Sequence, residues 1–385
     1  MNEQQKAQAY KVQEISGRYI TNEKIELFLK DLKHYFKVDV VGKSVENRPV
    51  FSVKFGHGKT KILMWSQMHG NESTTTKAVL DLLNYLNESK DEKIREWREK
   101  FTLLVVPVLN PDGAFYYTRV NANQVDLNRD SIHLSQPESK ILRNLLDEIQ
   151  PDFAFNLHDQ RSIFGVGETG QSAAISFLAP AYNEERELNE TRKKAIQLIV
   201  AMNEVVQQII PGHVGRFDDS YNINCIGDYA QTRGIPTVLI EAGHLGTDYQ
   251  RENTREIVAV SLLRVLDSIA TNRYKDSAMD SYFLLPENTK NFCDVEVKNV
   301  NILSLGRKFI VNIQYKEVLE GENVKFHPVI VEIDEKQSKF GHTLIEKECI
   351  VDTFIKKPSE IFERNFEDVI AFSMEEVNYL LKKEV

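Results

Sequence analysis

Four short, almost wholly apolar runs, separated by longer stretches of helical period, constrain this chain more than any other feature. They fall at residues 61–67, 102–109, 152–157 and 237–240. None shows the polar alternation of a strand with one face in water, so each reads as a strand covered on both faces. Between them lie patterns of period 3.6. Ile25, Phe28, Leu29, Leu32, Tyr35 and Phe36 predict a helix over 23–36. Ser135-x-x-Glu138, with Pro137 between, reads as a capping box opening a helix to about Ile149. Residues 182–210 and 253–270 predict two long helices, the second with Val258, Leu262, Val265, Leu266 and Ile269 on one face. Buried strands alternating with helices imply an α/β domain: a mixed, largely parallel sheet with helices on both faces, over residues 1–275.

The period changes after the polar stretch at residues 271–282. Cys293, Val295 and Val297 alternate with Asp294, Glu296 and Lys298, and Phe309, Val311, Ile313 and Tyr315 alternate likewise. Val329, Val331 and Ile333 form a third such run. Period two predicts half-buried, antiparallel strands. Ser373-x-x-Glu376 then predicts a short terminal helix bearing Met374, Val377 and Leu381. Residues 280–385 are therefore expected to form a small β-rich domain of no evident role. A length of 385 residues suits two such units, and 42% hydrophobic residues suffice for real cores.

Charge narrows the function. With 48 Lys+Arg against 57 Asp+Glu the net charge is −9, the wrong sign for a sequence-independent nucleic-acid binder. No apolar run approaches the roughly 20 residues that cross a bilayer, so no membrane partner is expected. The N-terminal stretch is polar, and three cysteines show no metal spacing. A reduced, cytoplasmic setting is the expectation.

The chemistry collects where the apolar runs end. The first runs into Met68-His69-Gly70-Asn71-Glu72 and the second into Asn110-Pro111-Asp112-Gly113. The third runs into His158-Asp159-Gln160 and the fourth into Glu241-Ala242-Gly243-His244. In open α/β sheets the carboxyl ends of the strands form the ligand crevice. Polar loops alone account for polarity at these ends, but not for the recurrence of metal-ligand types. A lone His-x-x-Glu is a weak signal; His69 and Glu72 gain from lying at a strand end beside a glycine turn. Adding His158 gives two imidazoles and a carboxylate, which leaves a fourth position open, as in a catalytic zinc site. His34, His57 and His327 read as ordinary surface or packed residues.

Together, His69-x-x-Glu72, Asn110-Pro111-Asp112-Gly113, Arg119-x-Asn121, Val125-Asp126-Leu127-Asn128-Arg129, His158 and Glu241 resemble the zinc metallocarboxypeptidases of the carboxypeptidase A type (peptidase M14). The resemblance covers residues 15–272 in the right order. It implies one Zn2+ per chain, held by His69, Glu72 and His158. It implies Glu241 as the general base and Arg119 as the residue polarising the scissile carbonyl. Asn128 and Arg129 match the pair that binds the substrate's C-terminal carboxylate, and Tyr221 is the best match for a capping tyrosine. Asp126 reads as structural, orienting the loop that presents Asn128 and Arg129, and Asp112 with Gly113 as a turn. The sequence departs from the family's usual pattern at Asp159-Gln160, which bears on subsites. Near Gly227 it offers no charge for a preference for basic residues.

The implied function is a zinc-dependent exopeptidase that hydrolyses the C-terminal amide bond of peptides or short muropeptides, as in similar cytoplasmic bacterial members. The partner expected is a peptide or small amide with a free carboxylate. Ile240-Glu241-Ala242-Gly243 also resembles the aspartoacylase and succinylglutamate desuccinylase branch, so an N-acyl amino-acid deacylase is the alternative. A non-catalytic binding protein is a third reading. Oligomeric state has no signature in the sequence.

Overall fold

The computed structural model describes residues 1–302 and 306–351. The N-terminal segment forms α1 (Glu3–Ala9) and α2 (Asn22–Lys30), then a hairpin of β1 (Phe36–Lys43) and β2 (Pro49–Phe55). Strand β3 (Thr60–Ser66) leads to α3 (Thr74–Glu88) and α4 (Glu92–Lys100). Strand β4 (Phe101–Val106) leads to α5 (Pro111–Tyr116) and α6 (Pro137–Ile149). After β5 (Phe153–Asp159) come the short strands β6 (Gly165–Val166) and β7 (Ile175–Leu178). Next are α7 (Glu190–Ile209), β8 (Val214–Arg216), α8 (Ile226–Thr232), β9 (Thr237–Ala242) and α9 (Glu252–Thr271). The chain continues through α10 (Asp280–Phe283), β10 (Asn288–Thr289) and β11 (Phe292–Ile302). The described residues close with β12 (Arg307–Glu320), β13 (Asn323–Asp334) and β14 (Phe340–Val351).

The main sheet has eight strands in the order β1-β2-β4-β3-β5-β9-β7-β8. Its four central strands are the four apolar runs, all parallel to one another. Their side chains do alternate, but between two cores. Ile62, Met64 and Phe155 join the core under α3, α7 and α9, while Leu63, Trp65 and Ala154 join the core under α6 and α8. Both faces are dry, so the period of two vanishes from the sequence.

The flanking strands were not visible in the sequence. Antiparallel β1 is open to solvent after Phe36, and the helix expected over 23–36 stops at Lys30. Phe36 opens β1 instead, pairing with Phe55, its ring centroid 5.2 Å away. The helix expected from 182 begins at Glu190, where Asn189 accepts from the Arg192 N–H at 2.8 Å. The Ser135 capping box does not form. Ser135 Oγ donates to Asp130, and Glu138 accepts from Asn121 and from the Val45 N–H.

Residues 292–351 form a separate four-stranded sheet, ordered β13-β12-β11-β14. The three predicted strands pair antiparallel, while β14 adds parallel to β11. Its core is Val295, Val297, Val300, Phe309, Val311, Ile313 and Ile345. The expected helix at Ser373 lies outside the described residues. Among the described residues no helix is long and apolar enough to cross a membrane.

One buried ion pair ties the N-terminal segment to the helices. Arg255 of α9 is fully buried and grips Asp81 of α3 with two bonds of 2.6 Å. Its remaining donors reach the carbonyls of Ile15 and Val12 and, at 3.0 Å, the Glu252 carboxylate. Removing Asp81 leaves the Arg255 Nε and one Nη2 donor unpaired out of water, with Glu252 as the one remaining carboxylate partner among the described residues. Asp81→Ala should lower unfolding free energy by about 3–5 kcal/mol in urea denaturation; a loss of under about 1 kcal/mol would show that the pair is not holding the helices.

Candidate functional site

The register between strands brings the distant residues together. His158 pairs directly with Glu241 across β5 and β9, and Ser66, three residues before His69, pairs with Leu157. The loop carrying His69 is shaped from several sides. Gln67 takes φ 49°, and its side-chain amide donates to the Gly70 and Ile20 carbonyls at 2.7 and 2.8 Å. Asn110 caps α5 by accepting from the Gly113 N–H, and donates to the Met68 carbonyl at 3.1 Å. A side chain at Gly70 would put its Cβ 1.8 Å from the Gly113 carbonyl carbon. Only glycine lets the two loops touch. Asp112 is fully buried within α5, accepting from Ser44, Arg48 and the Glu46 N–H.

His69, Glu72 and His158 are all buried. His69 Nδ1 lies 2.9 Å from one Glu72 oxygen and His158 Nδ1 lies 2.9 Å from the other, while the two Nδ1 atoms are 3.2 Å apart. Donors bound to one zinc at about 2.0–2.1 Å in a tetrahedron stand roughly 3.3 Å from one another, so the three residues fit a single ion. A buried His158 Nε2 and a buried Glu241 Oε2 have no hydrogen-bond partner. The outer partners suit the same task. Asp126 Oδ1 is 3.0 Å from His69 Nε2, the carboxylate–histidine pairing that orients metal ligands. The Asp159 N–H donates to Glu72 at 3.1 Å, and the Asp159 carboxylate accepts from the Thr74 and Thr75 N–H groups at the start of α3.

Electrostatics follow from burial and these neighbours. Burial alone would push His69 down, but the carboxylates of Glu72 and Asp126 prevail and hold it above its ordinary value. Burial lowers His158. Burial would raise Glu72, yet the two imidazoles hold it well below the usual carboxylate range. Glu241 is pushed well up by burial, then by the charges of Glu72 and Asp159.

The remaining site residues surround the triad. The Arg119 guanidinium reaches Glu72 and Asp126, each at 3.1 Å, with its side chain half exposed. Asn128 accepts from the Ile226 N–H at the start of α8, and its own N–H is capped by Asp126. Arg129 is exposed and donates to the Asn128 carbonyl and Cys225 Sγ; no carboxylate among the described residues pairs with it. Tyr221 is not brought to the triad by any described bond; its hydroxyl lies 3.3 Å from Thr232 Oγ1. Sequence reasoning missed two groups. Asp126 serves His69 as well as the loop, and Asp228, near Arg129, is pushed up to about 7 chiefly by burial. The Asp126–His69 bond carries no spacing signal, because the two residues lie 57 positions apart.

A family model described as zinc carboxypeptidase matches residues 21–249, more than half of the chain. This chain belongs to the zinc carboxypeptidase family. A probable carboxypeptidase 2 of Trichophyton verrucosum is 32% identical over 133 residues, covering 34% of this chain and 25% of that protein. Carboxypeptidase SOL1 of Arabidopsis thaliana is 30% identical over 167 residues, covering 38% and 34%. The matched stretches thus span a quarter to a third of these relatives. Among solved structures, a metallo-carboxypeptidase from Burkholderia cenocepacia has a TM-score of 0.54 at 20% identity, over 66% of this chain and 70% of that one. A Pseudomonas aeruginosa metallo-carboxypeptidase, solved with (2-guanidinoethylmercapto)succinic acid, gives 0.51 at 17%, over 65% and 69%. At these identities the structural likeness establishes the fold.

Because His69 and Glu241 are both biased toward their protonated forms, a cation entering the triad must displace protons. Zinc titration of chelator-treated protein near pH 6.5 should give one equivalent bound and an enthalpy that varies with the buffer's ionisation heat. A buffer-independent enthalpy, or binding that survives His69→Ala, would contradict this site.

Proposed function

We propose that this chain is a zinc-dependent exopeptidase that removes a C-terminal residue from peptides. The observation that carries the reading is the direct pairing of His158 with Glu241, which sets an unpartnered carboxylate oxygen beside the His69–Glu72–His158 cluster. A zinc ion held by His69, Glu72 and His158 would supply Lewis acidity and lower the pKa of water at the site to about 7. Glu241 is the group that accepts a proton from the attacking water and returns it to the leaving amine. Its raised affinity for a proton suits that exchange. Arg119 donates toward the carbonyl oxygen as negative charge develops on it; one such donor is typically worth about 2.7–4 kcal/mol.

Asn128 and Arg129 recognise the free carboxylate. Arg129 has unspent donors in a planar fork, and a carboxylate offers two acceptors in matching geometry. Selecting a terminal carboxylate makes the enzyme an exopeptidase, since a mid-chain peptide leaves the fork unfilled. Tyr221 is assigned to the mouth of this pocket by resemblance. Short muropeptides belong in the substrate panel on the same ground.

Glu241→Gln should keep one zinc per chain while kcat falls by about 10²–10⁴-fold, the usual worth of a positioned proton carrier; unchanged turnover removes this mechanism. Arg129→Ala should raise KM for free-carboxylate peptides by roughly ten- to 150-fold, as expected of a charged hydrogen bond worth about 1.5–3 kcal/mol. A panel of free peptides, amidated peptides, muropeptides and N-acyl amino acids decides the class. Equal cleavage of free and amidated peptides, or turnover of N-acyl amino acids alone, overturns the exopeptidase reading.

A further inference from the structure

The C-terminal sheet meets the α/β domain along the rim of the triad. Gln314 Nε2 donates to Ser162 Oγ at 2.6 Å and His342 Nε2 donates to the Ser162 carbonyl at 2.8 Å, on the loop that follows His158. Tyr315 packs edge-on to Tyr249, ring centroids 4.9 Å apart, on the loop that follows Glu241. Glu317 of β12 makes the contact of greatest consequence. It accepts from the Tyr117 hydroxyl and, at 3.3 Å, from Arg18 Nη2.

Tyr117 closes α5 with φ 56° and ψ 46°, left-handed backbone that a bulky side chain adopts only when its surroundings hold it there. Its N–H and that of Thr118 return to the Ala114 and Gly113 carbonyls, which turns the chain sharply. Two residues later stands Arg119. The Tyr117 side chain is buried, so its hydroxyl needs a partner, and Glu317 is that partner. Burial alone would raise the Glu317 pKa, yet Arg18 and Arg251 prevail and keep it low. Arg18 in turn accepts, through its carbonyl, from Ser73 Oγ at 2.6 Å, immediately after Glu72.

We propose that Glu317 is a positioning residue for Arg119, acting through the Tyr117 hydroxyl, so that the C-terminal sheet completes the active site. A bond that served only to join the domains would affect global stability without favouring the 117–121 segment. The kinetic part of this inference rests on the role proposed above for Arg119; the structural part does not.

Tyr117→Phe and Glu317→Leu test it, the leucine because an amide oxygen at 317 would still accept from the Tyr117 hydroxyl. Each should lower kcat on a C-terminally free peptide about tenfold, the worth of one hydrogen bond to a charged group. KM and zinc content should stay within about twofold of the parent value. The double variant should be no worse than either single one, since both break the same link. Amide hydrogen exchange at residues 118–121 should quicken in both variants with global stability matched by denaturant titration. Gln314→Leu, which breaks a neighbouring contact to Ser162, is the control and should leave that exchange unchanged. Unaltered exchange at 118–121 overturns the proposal, as do kcat losses that add in the double variant or a Gln314→Leu effect of equal size. A parent protein that cleaves no peptide would count against the exopeptidase reading, while the exchange measurement would still decide this one.

Discussion

Holding two imidazoles and a carboxylate within about 3 Å of one another, out of water, is the constraint on which the rest of the site depends. Burying polar groups without partners is costly, and burying charges more so. The molecule meets that cost by making each member of the cluster a partner of the others, then ringing them with Asp126, Asp159 and Arg119. None of this is achievable on a mobile loop. The parallel register of β3, β5 and β9 brings three strand ends to one edge, and covering both faces of those strands gives them one stable alignment.

The same double covering explains what could be read from the sequence. The four central strands were legible because a strand with two dry faces has no polar positions, and they ended where the chemistry began. Edge strand β1 was not, since Val38 and Val40 are exposed while Asp39 is half-buried, so polarity and burial do not alternate together. Tyr35 and Phe36 then extended a helical pattern that tertiary packing on Phe55 overrides. In the site, His69, Glu72, His158 and Glu241 were visible from residue type and strand-end position together. The bonds that tie Arg119 and Asp126 to the triad were not. Asp126 meets His69 across 57 positions and Arg119 meets Glu72 across 47, so no local spacing marks either contact.

Asp159-Gln160, where the sequence departs from the family's usual pattern, shows how a departure acquires meaning in three dimensions. Gln160 donates to Ser176 and to the Ala173 carbonyl and accepts from Asn288, joining β5 to its outer neighbours and to the chain entering the C-terminal sheet. Asp159 sits at the other pole. Its N–H holds a Glu72 oxygen while its carboxylate caps the helix that starts two residues after Glu72. A single residue thus fixes the direction of a triad carboxylate from both ends, a stronger restraint than either bond alone provides.

That arrangement carries an electrostatic consequence. Glu72 and Asp159 stand near Glu241, and after burial their charges drive Glu241 toward its protonated form. Acids this close cannot all stay ionised in a dry setting without compensation. Arg119 is half exposed and contributes only part of it; the Arg251 guanidinium, buried on the far side of Ala242, contributes another part. A divalent ion held by His69, Glu72 and His158 would supply the balance, offsetting the charge of Glu72 and easing its repulsion of Glu241. Ligand geometry and proton affinity are therefore set by the same few residues.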